Sequence, residues 1–243
     1  MNIAGTVAVI TGSARRLGRH MAVSLAAEGA DIVVNYRTSV ADAEETARLV
    51  RETGRRAVAV QADVSKSADV QRLLDTTMAE LGRADILIAN ASTFHRTPIE
   101  SIRDEDWDDL LDNNLRAAFL TGRTFGLSMR ANTGGAIVML ADTAGMRPWL
   151  GYTPYSVAKA GVIALTRALA RELAPAVRVN AIAPGPMLFP DGYDEASKQR
   201  EIDRTVLKRA GEPKHISDAV VALVRNDYIT GALLPVDGGR SLA

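Results

Sequence analysis

The sequence predicts an α/β fold: one domain on a doubly wound, seven-stranded parallel sheet with helices on both faces. Three observations carry this. Short β-branched runs alternate with longer segments of helical period, the pattern of successive βαβ units. Most of the strand runs are continuously apolar rather than alternating, so both faces of the sheet need cover. No linker, low-complexity tract or repeat interrupts the series, so residues 1–243 read as a single domain.

In chain order the strands are expected at Thr6–Thr11, Asp31–Tyr36, Arg56–Gln61, Ile86–Ala89, Ala136–Leu140, Val177–Ile182 and, shorter, Leu234–Val236. Each is a run of Val, Ile, Leu or Ala bounded by Gly or polar residues, which suits a buried strand. Between them fall Leu17–Glu28, Ala41–Glu52, Ala68–Glu80, Glu105–Met129 and Pro154–Leu173, with apolar residues at helical spacing. Several of these run into a glycine, which ends a helix without steric cost. Pro184–Pro213 is irregular, rich in Pro, Gly and charge with a helical piece inside; its place after a late strand is where a substrate-covering lid would sit.

Composition narrows the function classes. The chain balances 29 Lys+Arg against 29 Asp+Glu, so no summed positive field gathers a nucleic-acid backbone. It has no cysteine, which excludes disulfides, zinc–thiolate sites, iron–sulfur clusters and thiol nucleophiles. The N-terminal MNIAGTVAVITGSARR has no basic stretch ahead of an apolar core, and no run approaches the roughly 18 apolar residues of a membrane span. A cytoplasmic protein with a small-molecule partner, and neither nucleic acid nor membrane, is the expectation.

The first strand runs into Thr11-Gly12-Ser13-Ala14-Arg15-Arg16-Leu17-Gly18 and then a helix. A Gly-rich strand-to-helix turn lets backbone N–H groups face a pyrophosphate, and a plain tight turn is the alternative. Arg16 stands where such turns usually carry a middle glycine. At the end of the second strand an Asp would bind the two ribose hydroxyls of a dinucleotide, but here Arg37, Thr38 and Ser39 follow Asn35-Tyr36. A guanidinium and two hydroxyls suit a 2′-phosphate, with a solvated loop charge as the alternative. Further on, Tyr155-Ser-Val-Ala-Lys159 places a phenol and an ammonium one turn apart on one helix face. An adjacent cation favours the phenolate of a side chain that ordinarily titrates near pH ~10. Asp142 sits at the end of the preceding strand.

Together with Asp63-Val64, Asn90-Ala91-Ser92, Asn114-Leu115, Pro184-Gly185, Ile229-Thr230-Gly231 and Val236-Asp237-Gly238-Gly239, these motifs resemble the short-chain dehydrogenase/reductase family over the entire chain. The resemblance implies a Rossmann-type sheet and a nicotinamide cofactor bound by the turn Gly12–Gly18. It implies Tyr155 as proton donor, Lys159 as its pKa modifier and ribose ligand, and Asn114 holding a proton-relay water. Asp63 would meet the adenine, Asn90 the ribose side of the cofactor, and Pro184-Gly185 the nicotinamide amide. Two departures, Asp142 in place of the family's serine and Arg16 in the turn, resemble the pteridine reductases. So does Asn90-Ala-Ser-Thr-Phe94 followed by Thr97-Pro98. In that likeness Phe94 and the nicotinamide sandwich a pterin, while Ser92, Arg16 and Asp142 bond to it. Core packing for Phe94 and a phosphate clamp for Arg16 are the alternatives.

The acids Asp104, Glu105, Asp106, Asp108 and Asp109 open a long helix, where they complement its dipole, and no metal is expected. His20, His95 and His215 lack ligand spacing. Ala117, Ala118, Phe119, Ala160, Ala164 and Ala168 are small or apolar beyond what one sheet can cover, and in the resembled family such faces pair subunits, so a homotetramer or homodimer is expected. The function expected is hydride transfer from NADPH to a C=N bond of a pterin or dihydropterin. The alternatives are a carbonyl reductase of the same family, acting on a ketone or 3-oxoacyl group, and a non-catalytic dinucleotide-binding sensor.

Overall fold

The computed structural model describes residues 1–189 and 192–243. Seven strands form one parallel sheet: β1 (Val7–Ile10), β2 (Asp31–Tyr36), β3 (Ala57–Gln61), β4 (Ile86–Ala89), β5 (Gly135–Leu140), β6 (Val177–Pro184) and β7 (Leu233–Val236). Their spatial order is β3-β2-β1-β4-β5-β6-β7. The order follows from crossovers that run one way up to β3 and the other way from β4. Right-handed connections then place helices on opposite faces in the two halves.

Helices α1 (Arg16–Ala27), α2 (Val40–Glu52) and α3 (Ser67–Leu81) link the first four strands. α4 (Asp104–Leu111) and α5 (Ala117–Ala131) precede β5, and α6 (Thr153–Leu173) precedes β6. α7 (Glu195–Asp203) and α8 (Pro213–Arg225) precede β7. Successive side chains of a strand point to opposite faces, so each strand feeds two cores. Val7 and Val9 of β1 and Leu87 of β4 pack with Leu73 of α3, Phe125 of α5 and Val162 of α6. Ala8, Ile10, Ile86 and Ile88 pack with Leu25 of α1, Val50 of α2 and Val220 of α8. Continuous apolar runs in the sequence arise from this two-sided burial.

Three expectations need correction. The helix expected at Glu105–Met129 is interrupted by a π-turn at Asp112–Arg116. There Asn114 turns inward, its amide donating to Leu110 O at 2.9 Å and Thr93 O at 3.0 Å. The interruption is thus tied to a loop that helical periodicity does not report. Ala117 and Ala118 are buried in the chain's own core, not offered to a partner, because the π-turn rotates that face inward. Ala160, Ala164 and Ala168 are exposed, with Phe119 on the neighbouring helix also exposed. Lastly, α8 has no counterpart among the expected helices. It starts at Pro213 and is fastened by Glu212 N donating to His215 Nδ1 at 2.8 Å. In the irregular segment Pro184–Pro213 the helical piece is α7, which buries no residue. Pro190 and Asp191 of that segment lie outside the described residues.

The starts of β1 and β4 are joined by Asp85, whose side chain is 2% exposed. Its carboxylate accepts from Val7 N at 2.9 Å and from Arg83 through two bonds of 2.7 Å. Asp85→Ala leaves the Val7 N–H unsatisfied and Arg83 without its partner. Arg83 is 46% exposed and stays hydrated, so the expected cost is that of the orphaned buried N–H, about 1–3 kcal/mol, read as a lower midpoint in urea unfolding.

Candidate active site

β1 and β4 are neighbours, and their onward connections leave in opposite directions. A crevice therefore opens at the carboxyl ends of the strands. Gly12 adopts φ +61°, and a Cβ there would lie 3.0 Å from Ala91 Cα. At Gly18 a Cβ would fall 2.4 Å from Gly12 O, so the turn and the start of α1 touch through glycine alone. The fastenings are polar. Gly12 N donates to Asn35 Oδ1 at 3.1 Å, and Asn90 Nδ2 donates to Thr11 O and Gly12 O at 2.9 and 3.1 Å. Arg16 takes the left-handed conformation at φ +54° and donates to Leu188 O and Phe189 O at 2.8 and 3.1 Å.

All the residues expected around a dinucleotide from Gly12, Arg15, Arg16, Leu17 and Gly18 to Arg37, Thr38, Ser39, Asp63, Val64, Asn90, Ala91 and Ser92 line one cleft of about 390 Å³. The first N–H groups of α1 have no partner within the helix and open on it. At its far end the Arg37 guanidinium donates to the amide oxygen of Asn113 at 3.0 Å, and the Ser39 side chain does not cap α2. Asp63 keeps its carboxylate on Ser65, with bonds of 3.0 Å from N and 2.7 Å from Oγ. These residues fit a dinucleotide: a backbone cradle that side chains would fill, a helix N-terminus, and free donors at the ribose end.

A second cavity of about 840 Å³ adjoins the first and shares Arg16, Leu17, Asn90, Ser92 and Leu188 with it. Phe94, Asp142, Tyr155, Lys159, Pro184 and Gly185 line it. Gly185 is needed at its place, since a Cβ there would lie 2.6 Å from Asp237 Cα. Asp142 is held by Ala144 N at 2.8 Å on one oxygen and accepts from Tyr155 OH at 2.9 Å on the other. This loop reaches the phenol because Gly145 rests on α6: a Cβ there would sit 2.6 Å from the Lys159 carbonyl carbon. Lys159 is 3% exposed, donates to Leu140 O at 2.9 Å, and lies 5.6 Å from the Tyr155 ring centre. Asn114, expected to hold a water, lines neither space. Both its amide hydrogens are used as above, and its oxygen accepts from Ser92 Oγ.

Burial dominates the electrostatics. It raises the proton affinity of Asp142 against the opposing effects of the Ala144 N–H and Lys159. It pushes Lys159 down to about 8, partly offset by Asp142. The Tyr155 phenol is held well above its ordinary range by burial first and by the Asp142 charge second. The carboxylate accepts the phenol's hydrogen directly, whereas the ammonium bonds to a backbone carbonyl. Tyr155 is kept in its proton-bearing form.

The sequence reading missed most of the outer cavity. Trp149 and Tyr152 join Phe94 and Tyr155 in an aromatic wall. Phe94 stacks on Tyr152 with centres 4.9 Å apart and planes within 5°, so one of its two faces is already covered. A parallel bridge between Thr97 and Tyr152 fixes this pair. The spacing of Trp149, Tyr152 and Tyr155 was the available signal. Arg147, Glu201, Arg204 and Arg240 also line the cavity and come from segments far apart in sequence.

Residues 12–241 match the family model described as enoyl-(acyl carrier protein) reductase. The chain is 35% identical to the 3-oxoacyl-[acyl-carrier-protein] reductase of a Synechocystis strain, with 96% of each chain covered. It is 32% identical to glucose 1-dehydrogenase 2 of Bacillus subtilis, covering 99% of this chain and 96% of the other. A short-chain dehydrogenase/reductase from Serratia marcescens superposes with a TM-score of 0.93 at 31% identity, covering 99% of this chain and all of the other. The chain belongs to the short-chain dehydrogenase/reductase family. As a member it is an oxidoreductase whose cleft takes a nicotinamide dinucleotide. Among solved structures like it, a blue fluorescent protein from a metagenomic library (31% identity, TM-score 0.91, 99% of both chains) holds NADPH. A xylitol dehydrogenase (27%, TM-score 0.91, 98% of this chain and all of the other) holds NAD+.

For this oxidoreductase the Lys159 value sets a pH dependence. Below about pH 8 the ammonium is charged and above it neutral, so kcat/KM is expected to fall along an alkaline limb centred near that pH. Lys159→Arg, which keeps its charge throughout, should move the limb upward, as a series of initial rates across pH would show.

Proposed function

We propose that the protein is an NADPH-dependent reductase that converts a carbonyl group of a small molecule to an alcohol. The observation that carries this is the placement of Tyr155 and Lys159 in a cavity that shares a wall with the dinucleotide cleft. When bound, the reduced nicotinamide supplies the hydride. The chain's part is to deliver a proton to the carbonyl oxygen and to hold that oxygen. Tyr155, kept protonated by its surroundings, is the donor, and Lys159 supplies positive charge behind it. Asp142 in ionised form would repel the negative charge that develops on the oxygen. Burial raises its proton affinity, and a protonated Asp142 donates to that oxygen as a neutral hydroxyl would. The named activities of the Synechocystis and Bacillus relatives support the carbonyl reading.

Reduction of a pterin C=N bond is the second reading. It is favoured by Asp142, since an ionised carboxylate accepts from ring N–H and amino groups. Tyr152 on one face of Phe94 leaves only the other face for a pterin ring. A panel of ketones, 3-oxoacyl thioesters and dihydropterins, followed by loss of NADPH absorbance, separates the two readings. Turnover of dihydropterins alone would reverse their order. An absence of turnover on all of them, with NADPH bound, would leave the sensor reading. The exposed stripe of Ala160, Ala164 and Ala168 with Phe119 supports the pairing of subunits in a homodimer or homotetramer.

Tyr155→Phe keeps the ring and removes the proton. Turnover is expected to fall by about a hundredfold to ten-thousandfold while the dissociation constant for NADPH, measured by fluorescence, stays within the wild-type range.

Preference for NADPH rests on Arg37, Thr38 and Ser39 at the ribose end, where no acid closes β2. A charge-assisted bond to phosphate contributes about 1.5–3 kcal/mol, roughly a tenfold to hundredfold preference. Arg37→Ala should erase it in paired titrations with NADPH and NADH. Equal binding of both by the wild type would refute the assignment.

A further inference from the structure

The outer end of the second cavity carries more positive charge than its neighbours neutralise. Glu201 of α7 shares its single carboxylate between two guanidiniums: Oε1 accepts from Arg204 at 2.9 Å and Oε2 from Arg240 at 2.8 Å. The Arg240 side chain is 12% exposed, and its Nε has no hydrogen-bond partner. Its guanidinium lies 5.6 Å above the centre of the Trp149 ring. Arg147, an exposed residue, lines the same space, and among the described residues its side chain makes no hydrogen bond or ion pair. Among the described residues that line this end, three guanidiniums thus meet the one carboxylate of Glu201. At the inner end Asp142 is engaged by Tyr155 and Ala144, and Arg16 by two backbone carbonyls.

Between these ends runs an aromatic wall. The Trp149 ring centre is 6.5 Å from that of Tyr155, and the Arg240 guanidinium is 5.6 Å from the Trp149 ring centre. Trp149 thus neighbours both Tyr155 and Arg240, so a molecule that reaches from the phenol to the arginines passes this ring. A guanidinium lacking a full complement of anions, whether enclosed like Arg240 or exposed like Arg147, binds carboxylates through fixed, forked donors.

We infer that the substrate is a carbonyl compound with a planar or apolar body and a carboxylate-class anionic group at the opposite end, selected by Arg147 and Arg240. This rests on the carbonyl-reductase reading for the reacting end alone. In that reaction hydride goes from NADPH to the carbonyl carbon and a proton from Tyr155 to its oxygen, giving the alcohol and NADP+. The carboxylate is unchanged.

The test uses the full chain loaded with NADP+ and two probes, para-carboxylated acetophenone and its methyl ester. Their binding is followed by calorimetry and their reduction, with NADPH, by absorbance. The acid is expected to bind about tenfold to hundredfold more tightly than the ester, the size of one charge-assisted bond. Arg147→Met and Arg240→Met should each shrink that ratio. Arg240→Met also frees Glu201, so Glu201→Gln serves as the complementary variant. Removing the internal competitor should tighten binding of the acid, a change in the direction opposite to that of structural damage. Equal affinities for acid and ester, or no response of the ratio to Arg147→Met and Glu201→Gln, would overturn the inference. Selective binding of the acid without its reduction would uphold the anionic subsite and count against the carbonyl reading instead.

Discussion

Parallel pairing of β1 with both β2 and β4 is the constraint on which the site depends. Because successive connections leave β1 and β4 for opposite faces, no helix covers the crevice between their carboxyl ends. Strand termini or the loops after them deliver much of the site to that edge, Gly12 after β1, Arg37 after β2, Asp63 after β3, Asn90 after β4, Asp142 after β5 and Gly185 after β6, while α6 brings Tyr155 and Lys159. The polar bonds of Asn35 and Asn90 then fix the turn to its neighbours. Asparagine at these points, buried at 35 and half-buried at 90, fills the role that strand ladders fill elsewhere, satisfying backbone groups of the turn.

Within that frame the reactive groups trade stability for reactivity. A carboxyl, a phenol and an ammonium are enclosed together, and enclosure moves each away from its charged form. The result is a set of groups poised to exchange protons, not a settled ion pair. Lys159 bonds to a backbone carbonyl and not to Asp142, so the ammonium acts on the other two through space. The close packing of Gly145 on α6 is what makes the enclosure tight, since any side chain there would push Asp142 away from Tyr155.

The parts of this arrangement legible in the sequence are those written in contiguous residues. The turn Gly12–Gly18, the Tyr155–Lys159 pair and the acid-free end of β2 each occupy a short stretch, and the fold brings them to adjoining cavities. The apolar strands were legible because two-sided burial leaves an uninterrupted signal. Less visible were features that depend on tertiary partners. The stacking of Phe94 on Tyr152 arises from a bridge between two loops, and the meeting of Glu201 with Arg240 joins α7 to the chain's end. Neither has a local pattern. The direction in which Tyr155 is shifted was likewise hidden, since it depends on how deeply the phenol is enclosed and on which neighbour takes its hydrogen.

The π-turn at Asp112–Arg116 sets the phase between α4 and α5. An α-helix advances about 100° per residue, so deleting one residue here to restore the regular ladder would rotate all of α5 by roughly that angle. Phe125 and Met129 would leave the sheet, and exposed Phe119 would change its bearing. The single surplus residue therefore makes this segment intolerant of length changes, unlike most surface connections. In a lineage of such sequences, insertions and deletions would accumulate around it and spare it, even where the amino acids themselves drift.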